Sequence, residues 1–469
     1  MKQVDHFLNN FFHPGSVAVI GATKNPLKMN FRILENLVNL KFDGRIYPVN
    51  SRESEILGVK TYARLQDIPD KVDLVVSSVP ASKTMGIMKD CAQIGVKHIV
   101  IVTGGFSEGG QNGKRLHQKI EAFVKENGIR ILGPNTLSPV NTANNFIISF
   151  NPVRKMRRGN LSFAFQSGFY EPKINWIFSH LGINKMIDMG NKLDINELDA
   201  LKYFSMDSET RVIAMHIESL HSNGRDFFNL LKFVTRQKPV IILKSGITSA
   251  GSRAAASHTG ALARENDAVF DGAIRQAGAI RAQNLEEFFD LAKAFSFLLL
   301  PRGGRLAIIT LSGGEGVMAT DACEINGLKL AQLSDKTYHR LKGIFPGWEI
   351  PLNPFDGGVC MEFHLANLDA FFDTLAAIPR DENVDCAIMQ MPPNFLYLLS
   401  LSKEMSGKTG RSSLEQCLEL ILKMKESVKP FAMWRSSMDR QESESVELIE
   451  SYRLPVFQSP ERPVKALSA

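Results

Sequence analysis

The run PVIILKSGITSAGSRAAASHTGALA, residues 239–263, combines two patterns. Its apolar opening, ending at Leu243, has the length of a buried strand. From Lys244 onward most side chains are small, with one imidazole, His258, among them. Such a segment has little with which to anchor itself by packing. Its glycines and alanines suit a loop that moves or that lets a ligand approach the backbone. Beyond Thr259 and Gly260, Ala268, Phe270, Ala273, Ile274 and Ala277 recur at helical spacing. His258 is therefore expected near a helix N-terminus, where free amides favour an anion. Imidazole, anion site and loop together point to a phosphorylated histidine; the alternative is a loop histidine without chemistry.

Upstream, apolar strands alternate with amphipathic helices. Residues 161–165 form a strand pattern that turns at Gln166-Ser167-Gly168 into a helix near 174–181. Residues 186–189 lead into Gly190-Asn191-Lys192-Leu193-Asp194, and a helix follows over 197–204. Residues 211–217 are a further strand, with Glu218 at its C-terminal end. This alternation implies a parallel, doubly wound α/β sheet, whose ligands bind at the carboxyl ends of the strands. Gln166, Ser167, Gly168, Glu218 and His258 thus fall on one edge of one sheet.

Nearer the N-terminus the strands are 16–20, 44–49, 72–77 and 98–102, with helices at 84–94 and 113–127. At their carboxyl ends stand Gly21-Ala22-Thr23, Val49-Asn50, Val79-Pro80, Gly104-Gly105-Phe106 and Gly133-Pro134-Asn135. A nicotinamide-type dinucleotide site is opposed by two features. The first turn lacks GxGxxG, and the second strand ends in Asn50 rather than in an acid that would hold a ribose diol. A different phosphorylated ligand fits better, with Lys24 and the amides beside it receiving a pyrophosphate; otherwise Lys24 is a surface lysine.

A third unit starts with a strand at 306–311 and turns at Ser312-Gly313-Gly314-Glu315-Gly316 into a helix over 317–326. That turn is either a phosphate cradle or a tight strand-to-helix turn. Later come Asn353-Pro354-Phe355-Asp356, a strand at 386–391, a polar loop at 400–412, a helix at 413–425 and a strand at 430–434. From Ser459 the chain reads as a loose end. The basic, proline-containing segment 151–159 and Pro301-Arg302-Gly303-Gly304 mark boundaries, giving domains at 1–150, 159–301 and 303–460.

Composition narrows the function. The chain has 469 residues and a net charge of +6, small for its length and unclustered, which argues against nucleic-acid binding. Five cysteines, odd in number and without CxxC, suggest neither a zinc site nor a disulfide framework and fit a reducing cytoplasm. No apolar run approaches the ~18 residues of a membrane span.

Taken in order, these turns resemble the alpha part of nucleoside-diphosphate-forming acyl-CoA synthetases, the relatives of succinyl-CoA synthetase. The most specific piece is Ser257-His258-Thr259-Gly260-Ala261-Leu262-Ala263 with Phe270-Asp271-Gly272-Ala273-Ile274-Arg275-Gln276-Ala277-Gly278. Gly190-Asn191-Lys192, Lys244-Ser245-Gly246 and Gly105-Phe106-Ser107-Glu108 also match. The resemblance implies a Rossmann-like CoA-binding domain followed by two flavodoxin-like, succinyl-CoA-synthetase-like domains. It implies that acyl-CoA, phosphate and ADP give the acid, CoA and ATP through an acyl phosphate and a phosphohistidine at His258. CoA would lie against Gly21, Ala22, Thr23, Lys24, Val49, Asn50, Val79, Pro80, Gly105 and Asn135. Phosphate would lie at Gln166, Ser167, Gly168, Thr259 and Gly260, with Glu218 orienting the imidazole. Nothing here resembles an ATP-grasp domain or a P-loop. ADP or ATP and Mg would therefore be bound by a separate ATP-grasp beta-type subunit, with no metal held by this chain. A non-catalytic CoA or acyl-CoA binder is the alternative.

The phosphate turn departs from the family's Ser-Gln-Ser-Gly-Ala. It reads Phe165-Gln166-Ser167-Gly168-Phe169-Tyr170-Glu171. Phe165, Phe169 and Tyr170 would shape the pocket for the acyl group of a small carboxylic acid. Glu171, if turned inward at ~5 Å in an effective dielectric of ~20, would oppose phosphate by about 3 kcal/mol, roughly a hundredfold. Turned outward, it would complement the helix dipole.

Overall fold

A computed structural model describes residues 4–259, 266–362, 368–391, 422, 429–435 and 440–469. The chain divides into two compact units, Met1–Phe288 and Phe289–Ala469.

The first unit holds two large sheets. One consists of β1 (Ser16–Ile20), β2 (Arg45–Val49), β3 (Leu74–Ser77), β4 (His98–Ile101) and β5 (Arg130–Leu132), all parallel, in the order β2-β1-β3-β4-β5. Its strands read as apolar runs because helices cover both faces. Among them are α1 (Phe31–Asn39), α2 (Ala81–Gln93) and α3 (Gly110–Asn127). Reversal of the strand order between β1 and β3 opens a crevice at their carboxyl ends.

The other sheet contains β6 (Val140–Asn141), β7 (Phe146–Ile147), β8 (Arg158–Phe165), β9 (Ile183–Asp188), β10 (Val212–Ile217), β11 (Val240–Lys244) and β12 (Ile280–Ala282), in the order β12-β11-β10-β8-β9-β6-β7. The five strands from β8 to β12 are parallel and reverse direction of winding between β8 and β10, as the first sheet does between β1 and β3. The β6–β7 hairpin pairs antiparallel with β9 and covers what would otherwise be an open sheet edge. Strands this short carry no alternation to read, so the sequence did not announce them.

Helices here are α4 (Ile174–His180), α5 (Glu197–Met206), α6 (Gly224–Val234), α7 (Ser249–Thr259) and α8 (Asp267–Gln276). A capping box, Asn196 with Asp199, starts α5. Helix α7 corrects the loop expected around His258. Residues 249–259 are helical, and His258 lies in the last turn rather than near a helix N-terminus. Alanine, read as the mark of a loop, is the best helix former, and Ala254-Ala255-Ala256 sits in the middle of α7. The next helix starts only at Asp267, capped by the Asn266 side chain. Gly260 lies outside the described residues, as do the side chains of His258 and Thr259.

The second unit has β13 (Arg305–Thr310), β14 (Lys329–Leu330), β15 (Phe355–Asp356), β16 (Cys386–Gln390), β17 (Phe431–Trp434) and β18 (Val456–Phe457). Five of these run β14-β13-β16-β17-β18, and β15 pairs with β13. The Ser312 turn opens α9 (Gly313–Ile325). The end of the chain is not loose: α10 (Glu461–Ser468) buries Val464 and Leu467, and Arg462 pairs with Asp290 at 2.5 Å. Pro463 occupies the first turn of α10, where proline is tolerated. The loop expected at 400–412 lies outside the described residues, and so does the helix expected at 413–425 apart from residue 422. Among the described residues no helix is long and apolar enough to cross a membrane.

Candidate active site

Gln166 stands at the end of β8, next to the end of β10, and is 2% exposed. Its Oε1 accepts from the amides of Glu218 (2.8 Å) and Ser219 (3.1 Å), and its Nε2 donates to Ser219 Oγ (3.1 Å). The side-chain amide thus bridges two strand ends and is not directed at a ligand. Ser167 and Gly168 are the half-buried part of the turn. The helix after them opens as a 3-10 segment, Gly168–Lys173, with Pro172 inside it, before α4.

The aromatic substitutions divide. Phe165 and Tyr170 stack at 4.4 Å, both fully buried, and the Tyr170 hydroxyl donates to the Leu137 carbonyl. They are core residues, which corrects their expected place in an acyl pocket. Phe169 is half-buried, edge-on to the His216 ring at 4.7 Å. Glu171 takes neither expected direction. It is buried against residues 149–151, accepting from Ser149 Oγ (2.8 Å), Asn151 Nδ2 (3.0 Å) and the Phe150 amide (3.3 Å). Burial pushes its carboxyl above the ordinary range although those donors pull it down.

A second buried carboxyl went unnoticed in the sequence. Asp188 ends β9, accepts from the amides of Gly190 (3.0 Å) and Leu137 (3.3 Å), and would lie 3.9 Å from a methyl group on Gly168. Burial raises it to about 7; the two amides oppose the rise, and the charges of Glu171 and Glu218 add to it. The signal, an acid at the end of an apolar strand, is the one that pointed to Glu218. A consequence follows for stability. The folded value is above that of an unfolded aspartate, so this group's contribution is full below pH ~4 and is lost as pH rises through about 7. The span is on the order of 4 kcal/mol. Asp188→Asn should flatten that slope. Melting at pH 5 and pH 8 checks it, and parallel profiles for the two proteins would refute it.

Lys192, in the left-handed region with φ +50°, reaches Glu197 Oε2 (2.9 Å) and donates to the Ser219 carbonyl (2.5 Å). Glu197 Oε1 accepts from the amides of His221 and Ser222 (2.8 Å each) and from Ser222 Oγ (2.7 Å). Burial works against the Glu197 charge, but the Lys192 ammonium and these donors hold its carboxyl below the usual range. Lys244 Nζ donates to the Glu218 carbonyl (2.8 Å), so the segment after β10 is held from both sides. His216 Nε2 and Ser245 Oγ are 2.7 Å apart. Sequence matching singled out Lys192 and Lys244 only as motif letters; their partners show what they do.

In the first sheet, the crevice between β1 and β3 gathers several expected residues. Gly21 has φ +86°, and a Cβ there would come within 2.9 Å of Ser78 Oγ. Asn50 Nδ2 donates to the Ala22 carbonyl (2.7 Å), which fixes the first turn from the next strand. Thr23 Oγ1 accepts from the Asn25 amide (3.2 Å), and the Thr103 hydroxyl donates to the Val79 carbonyl (2.7 Å). Pro80 precedes the first turn of α2, where it leaves no amide hydrogen orphaned. Lys24 is exposed and pairs with Glu53 at 2.8 Å. Gly105 and Asn135, with φ +101° and +61°, lie at the ends of β4 and β5.

Residues 15–141 match the family described as CoA binding domain, and residues 158–295 match the succinyl-CoA ligase like flavodoxin domain. Over 456 residues the chain is 34% identical to Acetate–CoA ligase [ADP-forming] II subunit alpha of Pyrococcus furiosus, across 97% of this chain and 95% of that subunit. The chain belongs to the ADP-forming acetate–CoA ligase family. Another member, Acetate–CoA ligase [ADP-forming] II of Archaeoglobus fulgidus, is 38% identical over 385 residues, and the match spans 56% of that longer protein's length. Among solved members, the Ca. Korarchaeum cryptofilum dinucleotide forming acetyl-coenzyme A synthetase 1, in complex with phosphate and ADP, superposes with a TM-score of 0.82. It is 31% identical, over 98% of this chain and 95% of that one. The α/β architecture, with a CoA-binding part and a flavodoxin-like succinyl-CoA-ligase part, is that of the ADP-forming acetate–CoA ligase family.

Proposed function

We propose that this chain is the alpha-type part of an ADP-forming acyl-CoA synthetase, converting acyl-CoA, phosphate and ADP into the acid, CoA and ATP. The observation that carries the reading is the meeting, inside one compact unit, of a CoA-type crevice and the strand-end cluster of Gln166, Ser167, Gly168, Glu218 and Lys244. CoA lies along Gly21, Ala22, Thr23, Lys24, Val49, Asn50, Val79, Pro80, Gly105 and Asn135 in domain 1–150. Phosphate attacks the thioester carbonyl to give an acyl phosphate and free CoA, held by the Ser167 and Gly168 backbone with Thr259 and Gly260. The His258 imidazole then takes the phosphoryl group, releasing the acid, while the Glu218 carboxylate offsets the positive charge that develops on the ring. This chemistry belongs to domain 159–301, with domain 303–460 as a second flavodoxin-like part. ADP, ATP and Mg belong to an ATP-grasp beta-type partner. A cytoplasmic setting agrees with the buried thiols of Cys91, Cys323, Cys360 and Cys386.

One feature favours the non-catalytic CoA binder as a second reading: the 3-10 opening at Gly168–Lys173 presents fewer aligned amides than an α-helix. Phosphorylation of His258 separates the two. Wild-type chain incubated with acetyl phosphate should acquire an acid-labile phosphate, detected by mass spectrometry at alkaline pH. His258→Ala should show none, with at least a thousandfold loss of turnover. An unlabelled wild type that still binds CoA by calorimetry, with a beta-type subunit present, would leave the binder.

A further inference from the structure

The carboxyl ends of the two sheets in the first unit meet at one place. From the first sheet come Gly104, Gly105 and Asn135; from the second comes the turn after β9. Glu108 joins them. Its Oε1 accepts from the Gly105 amide (2.7 Å), and its Oε2 accepts from Asn191 Nδ2 (2.5 Å). The loop it holds is shaped around the carboxylate: a Cβ on Gly104 would lie 2.8 Å from Glu108 Oε1 and 3.5 Å from Asn135 Oδ1. On the other side, Asn191 follows Gly190, whose amide donates to Asp188 under the Ser167-Gly168 turn. A short run of contacts therefore connects the edge that holds CoA to the turn that holds phosphate.

Holding the sheets together does not require Glu108. The Asn191 and Leu193 amides donate to the Pro134 and Gly133 carbonyls at 2.9 and 3.1 Å, and Arg130 pairs with Asp194 at 2.8 Å. Glu108 and Asn191 are also half-buried, so neither is an interior filler. What the Glu108–Asn191 bond adds is the orientation of the Gly104-Gly105 loop relative to the phosphate turn.

We propose that Glu108 and Asn191 form a latch that positions the CoA thiol against the acyl phosphate, making them positioning residues for acyl transfer alone. The inference rests on the proposed function. In acyl transfer the thiol sulfur forms a bond to the acyl carbon as the carbon–oxygen bond to phosphate breaks, and the thiol proton leaves with the phosphate. Phosphorylation of His258 uses no thiol and should not feel the latch.

Both half-reactions are measured from acetyl phosphate, with the beta-type subunit present: formation of acetyl-CoA at saturating CoA, and labelling of His258. Asn191→Ala should slow acetyl-CoA formation 10- to 100-fold, the size of a misplacement effect, while labelling stays within twofold. Glu108→Gln should remain within about threefold in both, since an amide can still accept from Gly105 and meet a flipped Asn191 amide. Equal losses in the two half-reactions, or no loss in either, would overturn the latch. A wild type lacking both half-reactions would bring down the functional reading and the latch with it.

Discussion

A single methyl group at Gly190 is expected to cost on the order of 3 kcal/mol and most of the acyl-transfer activity. Two effects add. Gly190 has φ +54°, where an L-residue pays about 1–2 kcal/mol. A Cβ there would also lie 2.2 Å from the Pro134 carbonyl oxygen and 2.7 Å from that of Asn135. Both are backbone atoms and cannot rotate aside, so the two sheet edges must separate. A displacement of ~1 Å between reacting groups lowers a rate by about a hundredfold. Gly58→Ala is the control, because Gly58 has φ +77° and nothing within 4 Å of the added atom. Urea unfolding should show about 1 kcal/mol for the control and clearly more for Gly190→Ala. Equal losses would mean that the overlap relaxes without strain.

Glu197→Ala should destabilise the first unit by about 3–5 kcal/mol, the cost of breaking a buried ion pair from one side. The Lys192 and Glu197 side chains are 4% and 0% exposed, so the change takes a carboxylate 2.9 Å away from a buried ammonium. The change also removes the acceptor shared by the His221 amide, the Ser222 amide and the Ser222 hydroxyl. The sign with pH is opposite to that of Asp188. The Glu197 carboxyl is held below its ordinary value, so its contribution is present above the unfolded pKa and is lost as pH falls through the folded one. The gap between wild type and variant should be full at pH 7 and narrow only in acid. Chemical denaturation at pH 7 and pH 4 measures it, and a gap below 1 kcal/mol at pH 7 would contradict the argument.

What could be read from the chain was whatever rested on periodicity. Continuous apolar runs such as β10 and β11 are covered on both faces, and their carboxyl ends collect the glycine turns and Glu218. The rest depended on side-chain direction or on residues that carry no hydrophobic signal. Alanines in α7 have helix propensity but too little bulk to mark a buried face, so a helix read as a loop. Gln166 spends its amide on the neighbouring strand, and Glu171 turns toward residues 149–151; neither rotamer is written in a motif. Asp188 was hidden in an apolar context that its own burial and two amide donors make tolerable.

Helix α7 bears on the role proposed for His258. A residue in the last turn of an eleven-residue helix is fixed to a stiff rod. From Ser249 to His258 the rise is about 14 Å. Rotation of such an arm by ~10° about its near end carries the far end by about 2–3 Å, and helical hydrogen bonds need not break. The pivot would fall before Ser249, where Gly246 has φ +73° and an added Cβ would lie 3.4 Å from the Ala255 Cβ. In the proposed mechanism the reach of this position is thus a matter of leverage, set by a joint twelve residues away.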